Sequence, residues 1–166
     1  MQPDLYPEYA VPIGAAVSEG PCPFLSWLEL ACWDRTVTPH LFIAHYPDDY
    51  RGERLNRLVK CFLWIRHAAG DHPIRVSSAY RTFAYNDLVG GAEWSQHVFG
   101  RALDLVPPDG LALRAFYDIC RAAAEVTAIR GLGYYDAAGF VHIDTRPRVD
   151  LVTWTGDRPK PEAIRV

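Results

Sequence analysis

Two histidines and one aspartate carry the first chemical signal in this chain. Of its six histidines, His40, His45, His67 and His72 sit in loop-like stretches or near a helix end, among charged neighbours, and read as solvated surface residues. His97 and His142 differ, because each adjoins a stretch that reads as a strand and each has an aspartate downstream, Asp104 and Asp144. Two imidazoles and a carboxylate are a common three-ligand set for catalytic zinc, which keeps its fourth position open for water. Water held there reaches a pKa of about 7 and becomes a usable nucleophile at neutral pH. The competing reading makes His97 and His142 unrelated strand-end residues and pairs Asp104 with an arginine, Arg81 or Arg101.

Spacing limits how such a site can form. In SQHVFGRALDLV (95–106), Asp104 interrupts an apolar run, and a carboxylate facing a core is costly unless something pairs with it. Fully extended, the seven residues from His97 to Asp104 would separate them by about 23 Å. They share one ion only if the chain folds back, and Gly100 is the residue that permits a sharp bend. In FVHIDT (140–145) side chains alternate. Phe140, His142 and Asp144 therefore share one face, while Val141 and Ile143 form a natural core face.

The elements that must position these residues are legible in outline. FLSWLELACW (24–33) reads as a short helix with Ser26 as its N-cap. Residues 34–52 read as loop. ERLNRLVKCFLWIRHAA (53–69) is the clearest helix, with Leu55, Leu58, Val59, Phe62 and Leu63 on one stripe and Gly70 at its stop. IRVSSAYR (74–81) reads as a strand, 82–96 as a long connection, RALDLV as a strand and 111–127 as a second amphipathic helix. RGLGYY (130–135) and FVHIDT bracket four residues as a β-hairpin, and 146–166 reads as a surface-wrapping tail. The order predicts an α+β single domain with a small antiparallel sheet flanked by helices. Its expected limits are an irregular segment over 1–23, the domain over 24–154 and a tail over 155–166.

Composition narrows the function classes. A chain of 166 residues, 49% hydrophobic and 22% charged, fits one ordinary globular domain. Its net charge of −3 argues against nucleic acid or an anionic membrane as the main partner. No apolar run reaches the length of about 18 residues that a membrane span needs. The N-terminal stretch has no Lys or Arg and no apolar core of a signal peptide, so synthesis in the cytoplasm without a signal is the expectation. Cys22, Cys32, Cys61 and Cys120 are scattered, form no C-x-x-C pair and read as buried free thiols.

Read together, the residues resemble a known family. Ser95, His97, Gly100, Ala102 and Asp104 match all five fixed positions of S-x-H-x-x-G-x-A-x-D, a pattern of the zinc DD-peptidases of peptidase family M15. Upstream, Tyr80, Arg81, Asn86, Val89, Gly90 and Gly91 fit the same family, and GLGYYDAAGFVHIDTRP is similar to its G-x-G-Y-Y…F-V-H-x-D segment. The resemblance implies a fold shared with the Hedgehog signalling domain, with Zn2+ held by His97, Asp104 and His142. It implies a metallopeptidase acting on peptidoglycan stem peptides, as D-Ala-D-Ala carboxypeptidase or endopeptidase, with the wall peptide as partner. A phage lysis or tail-associated setting follows by analogy. Arg81 matches a family arginine that faces substrate, and Ser95 is carried over as a substrate-binding residue.

The general base stays open. The family's histidine variant, H-x-H, has Phe140 at the matching position here. Asp136, at the hairpin turn, corresponds to an acid of the Hedgehog domain, but aspartate is also an ordinary turn residue. Asp144 is its rival, acting either as base or by orienting an imidazole. A domain that keeps the zinc and has lost the chemistry, a wall-binding or structural module, is the alternative. Trp94 and Phe99, bulky neighbours of His97, read as packing residues rather than as shapers of a cleft.

Overall fold

The computed structural model describes residues 20–34 and 42–156. His40 and the stretches 1–19 and 157–166 lie outside the described residues, and with them most of the expected irregular N-terminal segment and tail. The first helix, α1 (Trp27–Leu30), is shorter than the sequence predicts. Ser26 caps it in a reciprocal box: its Oγ accepts from the Glu29 amide at 3.2 Å, and the Glu29 carboxylate accepts from the Ser26 amide at 2.8 Å. The chain then leaves the helix to pair β1 (Cys32–Asp34) with β2 (Phe42–Ala44), antiparallel, where the end of the helix and a following loop were expected.

Helix α2 (Glu53–Ala68) follows its apolar stripe: Leu55, Leu58, Val59, Phe62 and Leu63 are all buried, together with Cys61 and Ile65. Gly70, at φ 84°, closes it in the left-handed conformation that glycine adopts without penalty. The main sheet has five strands in the order β3-β4-β6-β5-β7. These are β3 (Arg75–Ser78), β4 (Ala102–Val106), β5 (Gly131–Tyr135), β6 (Phe140–Asp144) and β7 (Val152–Thr155). The first four neighbours pair antiparallel, and β5 and β6 form the expected hairpin with Tyr135 opposite Phe140. Strand β7 corrects the reading of 146–156 as mere wrapping, since it adds to the edge of β5 in parallel.

Two further differences bear on the site. Strand β3 ends at Ser78, not Arg81, because the next residues bond elsewhere. The Tyr80 amide donates to the Leu30 carbonyl at 3.2 Å and the Arg81 amide to the His97 carbonyl at 3.2 Å. The connection 82–96 also contains a short helix, α3 (Phe83–Leu88), capped by the Thr82 hydroxyl, which accepts from the Tyr85 amide at 3.1 Å. Helix α4 (Leu113–Val126) covers one sheet face with Phe116, Cys120, Ala123 and Ala124 buried. Leu103, Leu105, Leu132, Val141 and Ile143 form the sheet's share of that core. Strand alternation turns Asp104, His142 and Asp144 to the opposite face. The four cysteines are free and buried, as expected.

Candidate metal centre

The sheet register brings the first two ligands together. Asp104 on β4 and His142 on β6 are direct cross-strand partners, with Asp104 Oδ1 2.9 Å from His142 Nδ1. His97 arrives from the tight turn before β4. That turn is closed by bonds from the Val98 amide to the Ser95 carbonyl (3.1 Å), Gly100 to His97 (3.1 Å) and Arg101 to Gln96 (2.9 Å). Gly100 takes φ 60°, and its carbonyl accepts from the buried Tyr46 hydroxyl. The chain thus doubles back, and His97 Nε2 lies 3.1 Å from Asp104 Oδ1 and 3.2 Å from His142 Nδ1.

The remaining polar atoms fix which ring nitrogen faces the cluster. His97 Nδ1 contacts the Ala79 carbonyl, which can only accept, so Nδ1 carries the proton and Nε2 presents its lone pair. His142 Nε2 lies 3.0 Å from Asp144 Oδ2 and donates to it, freeing Nδ1 as the ligand atom. Asp104 uses its other oxygen, Oδ2, to accept from Arg81 Nη2 at 2.8 Å. The pairing of Asp104 with Arg81 and its convergence with two imidazoles therefore coexist.

All three residues are buried. Burial pushes the His97 imidazole below its ordinary range, keeping it neutral. Burial opposes the charged form of Asp104 too, but the two imidazoles beside it override this and hold the carboxyl well below the usual range. His142 is likewise disfavoured by burial, yet its contacts with Asp104 and Asp144 push its pKa up. A neutral His97 and an ionised Asp104 are the forms in which these groups ligate a metal. Tetrahedral zinc with bonds of about 2.0–2.1 Å needs ligand atoms about 3.4 Å apart, so a change of a few tenths of an ångström admits the ion. The donor set fits zinc.

The other residues singled out in the sequence separate into two groups. Arg81, Ser95, His97, Asp104 and His142 all line one cleft of about 1400 Å³. Asp144 lies beneath His142 and is saturated. Its Oδ1 accepts from the amide and Nε of Arg146 at 3.0 and 2.8 Å, and its Oδ2 from His142 and from Arg146 Nη2 at 2.6 Å. Asp136 is not brought to the cluster: it is exposed, and its carboxylate accepts from the Tyr134 hydroxyl at 2.9 Å. Tyr134 in turn packs edge-on against Tyr117 of α4, on the far face of the sheet. The reading of Asp136 as a base beside the metal is corrected on this geometry.

Trp94 corrects another expectation. It is 72% exposed and lines the cleft instead of packing, whereas Phe99 does pack, edge-on against Phe83 at 6.4 Å. Sequence reasoning missed Arg146, Tyr135 and Trp154. The spacing of Arg146, two residues past Asp144 on the same alternation, was the available signal for the first. The glycines of GLGYY were the signal for the wall itself. A Cβ on Gly131 would lie 2.1 Å from Asp144 Oδ2, and one on Gly133 would lie 2.6 Å from Trp154 Nε1.

Comparison with known proteins agrees with this geometry. The model of the peptidase M15 family matches residues 26–144, and the chain belongs to that family. It is 36% identical over 96 residues to the zinc D-Ala-D-Ala carboxypeptidase of Streptomyces albus G, a match covering 54% of this chain and 35% of that protein. It is 38% identical over 80 residues to the peptidoglycan L,D-endopeptidase MepK of Escherichia coli K12, covering 45% of this chain and 41% of MepK. The chain thus matches well under half the length of these relatives. Zinc is the metal that the family and the His-Asp-His cluster together assign to the site.

Proposed function

We propose that this chain is a zinc-dependent peptidase that hydrolyses peptide bonds in peptidoglycan stem peptides, as a carboxypeptidase or an endopeptidase. The observation that carries the reading is the convergence of His97 Nε2, Asp104 Oδ1 and His142 Nδ1 at the wall of a cleft large enough for a peptide. When bound, zinc supplies a Lewis acid for the scissile carbonyl and a nucleophile at neutral pH. Arg81 holds Asp104 with Nη2 and the Ser78 hydroxyl with Nε at 2.9 Å. Among the described residues no hydrogen bond engages its Nη1, which leaves that edge for substrate or for charge developing on the carbonyl oxygen. Ser95, in the same lining, is proposed to contact substrate. Asp144 is proposed to act by holding His142 in its ligating tautomer.

One observation favours a second reading, a zinc-bearing wall-binding domain without turnover. Neither carboxylate considered as base is free at the cleft, since Asp144 is saturated and Asp136 faces away. The two readings part on one experiment. Zinc-loaded protein is incubated with stem pentapeptide and with purified cell walls of several types, and new amino groups are counted. The peptidase reading expects release that a chelator stops and added zinc restores. Binding of the pentapeptide with no release from any wall supports the second reading and overturns the first.

A further inference from the structure

The side of the cleft nearest β7 is built from three residues that the metal does not use. The Trp154 indole donates from Nε1 to the Tyr135 hydroxyl at 2.9 Å. Tyr135 is the acceptor there, so its own proton remains, and no described residue takes it. Its ring is fixed by stacking on Phe140, centroids 4.5 Å apart at 17°. Over the ring of the same indole sits Arg146, its guanidinium carbon 5.2 Å from the ring centroid. Arg146 spends Nε and Nη2 on Asp144, and no described residue bonds its Nη1.

Space for this wall is kept by glycine. A Cβ on Gly156 would lie 2.1 Å from the Tyr135 ring, and Gly133 lies under Trp154. Tyr135, Arg146 and Trp154 all line the cleft.

The sheet order gives the wall its meaning. Strands β4 and β6, which carry Asp104 and His142, lie between β3 on one side and β5 and β7 on the other. Arg81 follows β3, whereas Tyr135 and Trp154 stand on β5 and β7. Arg146 follows β6 and lies over Trp154 of β7, so the metal cluster has a guanidinium on each side. Joined to Arg146 through the same indole stands a hydroxyl with a free proton. One charged donor and one neutral donor, neither with an acceptor among the described residues, match the two oxygens of a carboxylate.

We propose that Tyr135 and Arg146, spaced by Trp154, form a carboxylate-binding subsite facing Arg81 across the metal. The substrate class is then a peptide with a free carboxylate on each side of the scissile bond. This rests on the peptidase reading for the word scissile, but the subsite is tested by binding alone.

The zinc-loaded protein is titrated calorimetrically with a stem pentapeptide and with versions in which one carboxylate at a time is an amide. Amidation at one position on each side weakens binding about tenfold or more, the scale of a lost charge-assisted hydrogen bond. Tyr135→Phe, checked for unchanged zinc content, shrinks the penalty at one of those two positions and leaves the other unchanged. If Tyr135→Phe weakens every peptide equally, or the amides bind as well as the acids, the subsite is wrong. If Tyr135→Phe does not fold, Arg146→Lys gives the same readout, because it keeps a charge and loses the planar fork. Failure to cut cell walls would sink the peptidase reading and leave these binding results standing.

Discussion

Asp104 stands directly opposite His142 in the β4–β6 ladder, and their facing atoms are 2.9 Å apart. Two of the three ligands are thus set by sheet register, which a one-residue slip would destroy. The third, His97, depends on a turn. That division makes the turn the place where metal affinity can be loosened without disturbing the sheet.

Tyr46→Phe tests this. The Tyr46 hydroxyl is buried against the Gly100 carbonyl at the end of the turn. Its loss leaves that carbonyl without this partner and destabilises the protein by about 1–2 kcal/mol. Urea unfolding with zinc and with chelator should show the loss in both conditions, with a larger loss in zinc.

Asp144→Asn separates positioning from folding. The amide keeps the shape but offers one acceptor oxygen where the carboxylate used two, so His142 and Arg146 compete for it. Zinc affinity falls about 10- to 100-fold, the usual effect of losing a carboxylate that orients a ligating histidine. Competition against a fluorescent chelator measures it.

Gly131→Ala reaches the same carboxylate from beneath. The added Cβ would lie 2.1 Å from Asp144 Oδ2, so the side chain must shift or the strands must part. Overpacking of this kind costs about 1–3 kcal/mol. Thermal unfolding of the zinc-free protein should show that cost, and zinc affinity should fall as it does in Asp144→Asn.

Arg81→Lys keeps a positive charge near Asp104 but has no second edge to offer substrate. Zinc content stays near one per chain, while kcat/KM falls about 100-fold, the scale seen when a single transition-state donor is removed. Equal zinc loading and unchanged turnover would strip Arg81 of its role at the substrate.

Much of this arrangement was legible in the residues, and the parts that were not were either too short to show a period or set by distant pairing. The stripe of α2 and the alternation of FVHIDT report a periodic burial, so Leu55, Leu58, Phe62 and the shared face of His142 and Asp144 could be read directly. Gly100 marked the bend that returns His97 to Asp104. Helix α3 escaped notice because six residues give no full stripe, and Thr82 was its main signal. Strand β7 lies among prolines and pairs with β5, about twenty residues earlier, so nothing local announces it. Asp136 could not be judged from the sequence, because only the pairing of Tyr134 with α4 decides which side of the sheet it serves.

The most direct test is anomalous diffraction at the zinc edge from crystals grown with zinc. The account predicts a single strong peak about 2.0–2.2 Å from His97 Nε2, one oxygen of Asp104 and His142 Nδ1, with Asp144 still on His142 Nε2. A peak bound through His142 Nε2, or one away from these three residues, would contradict it.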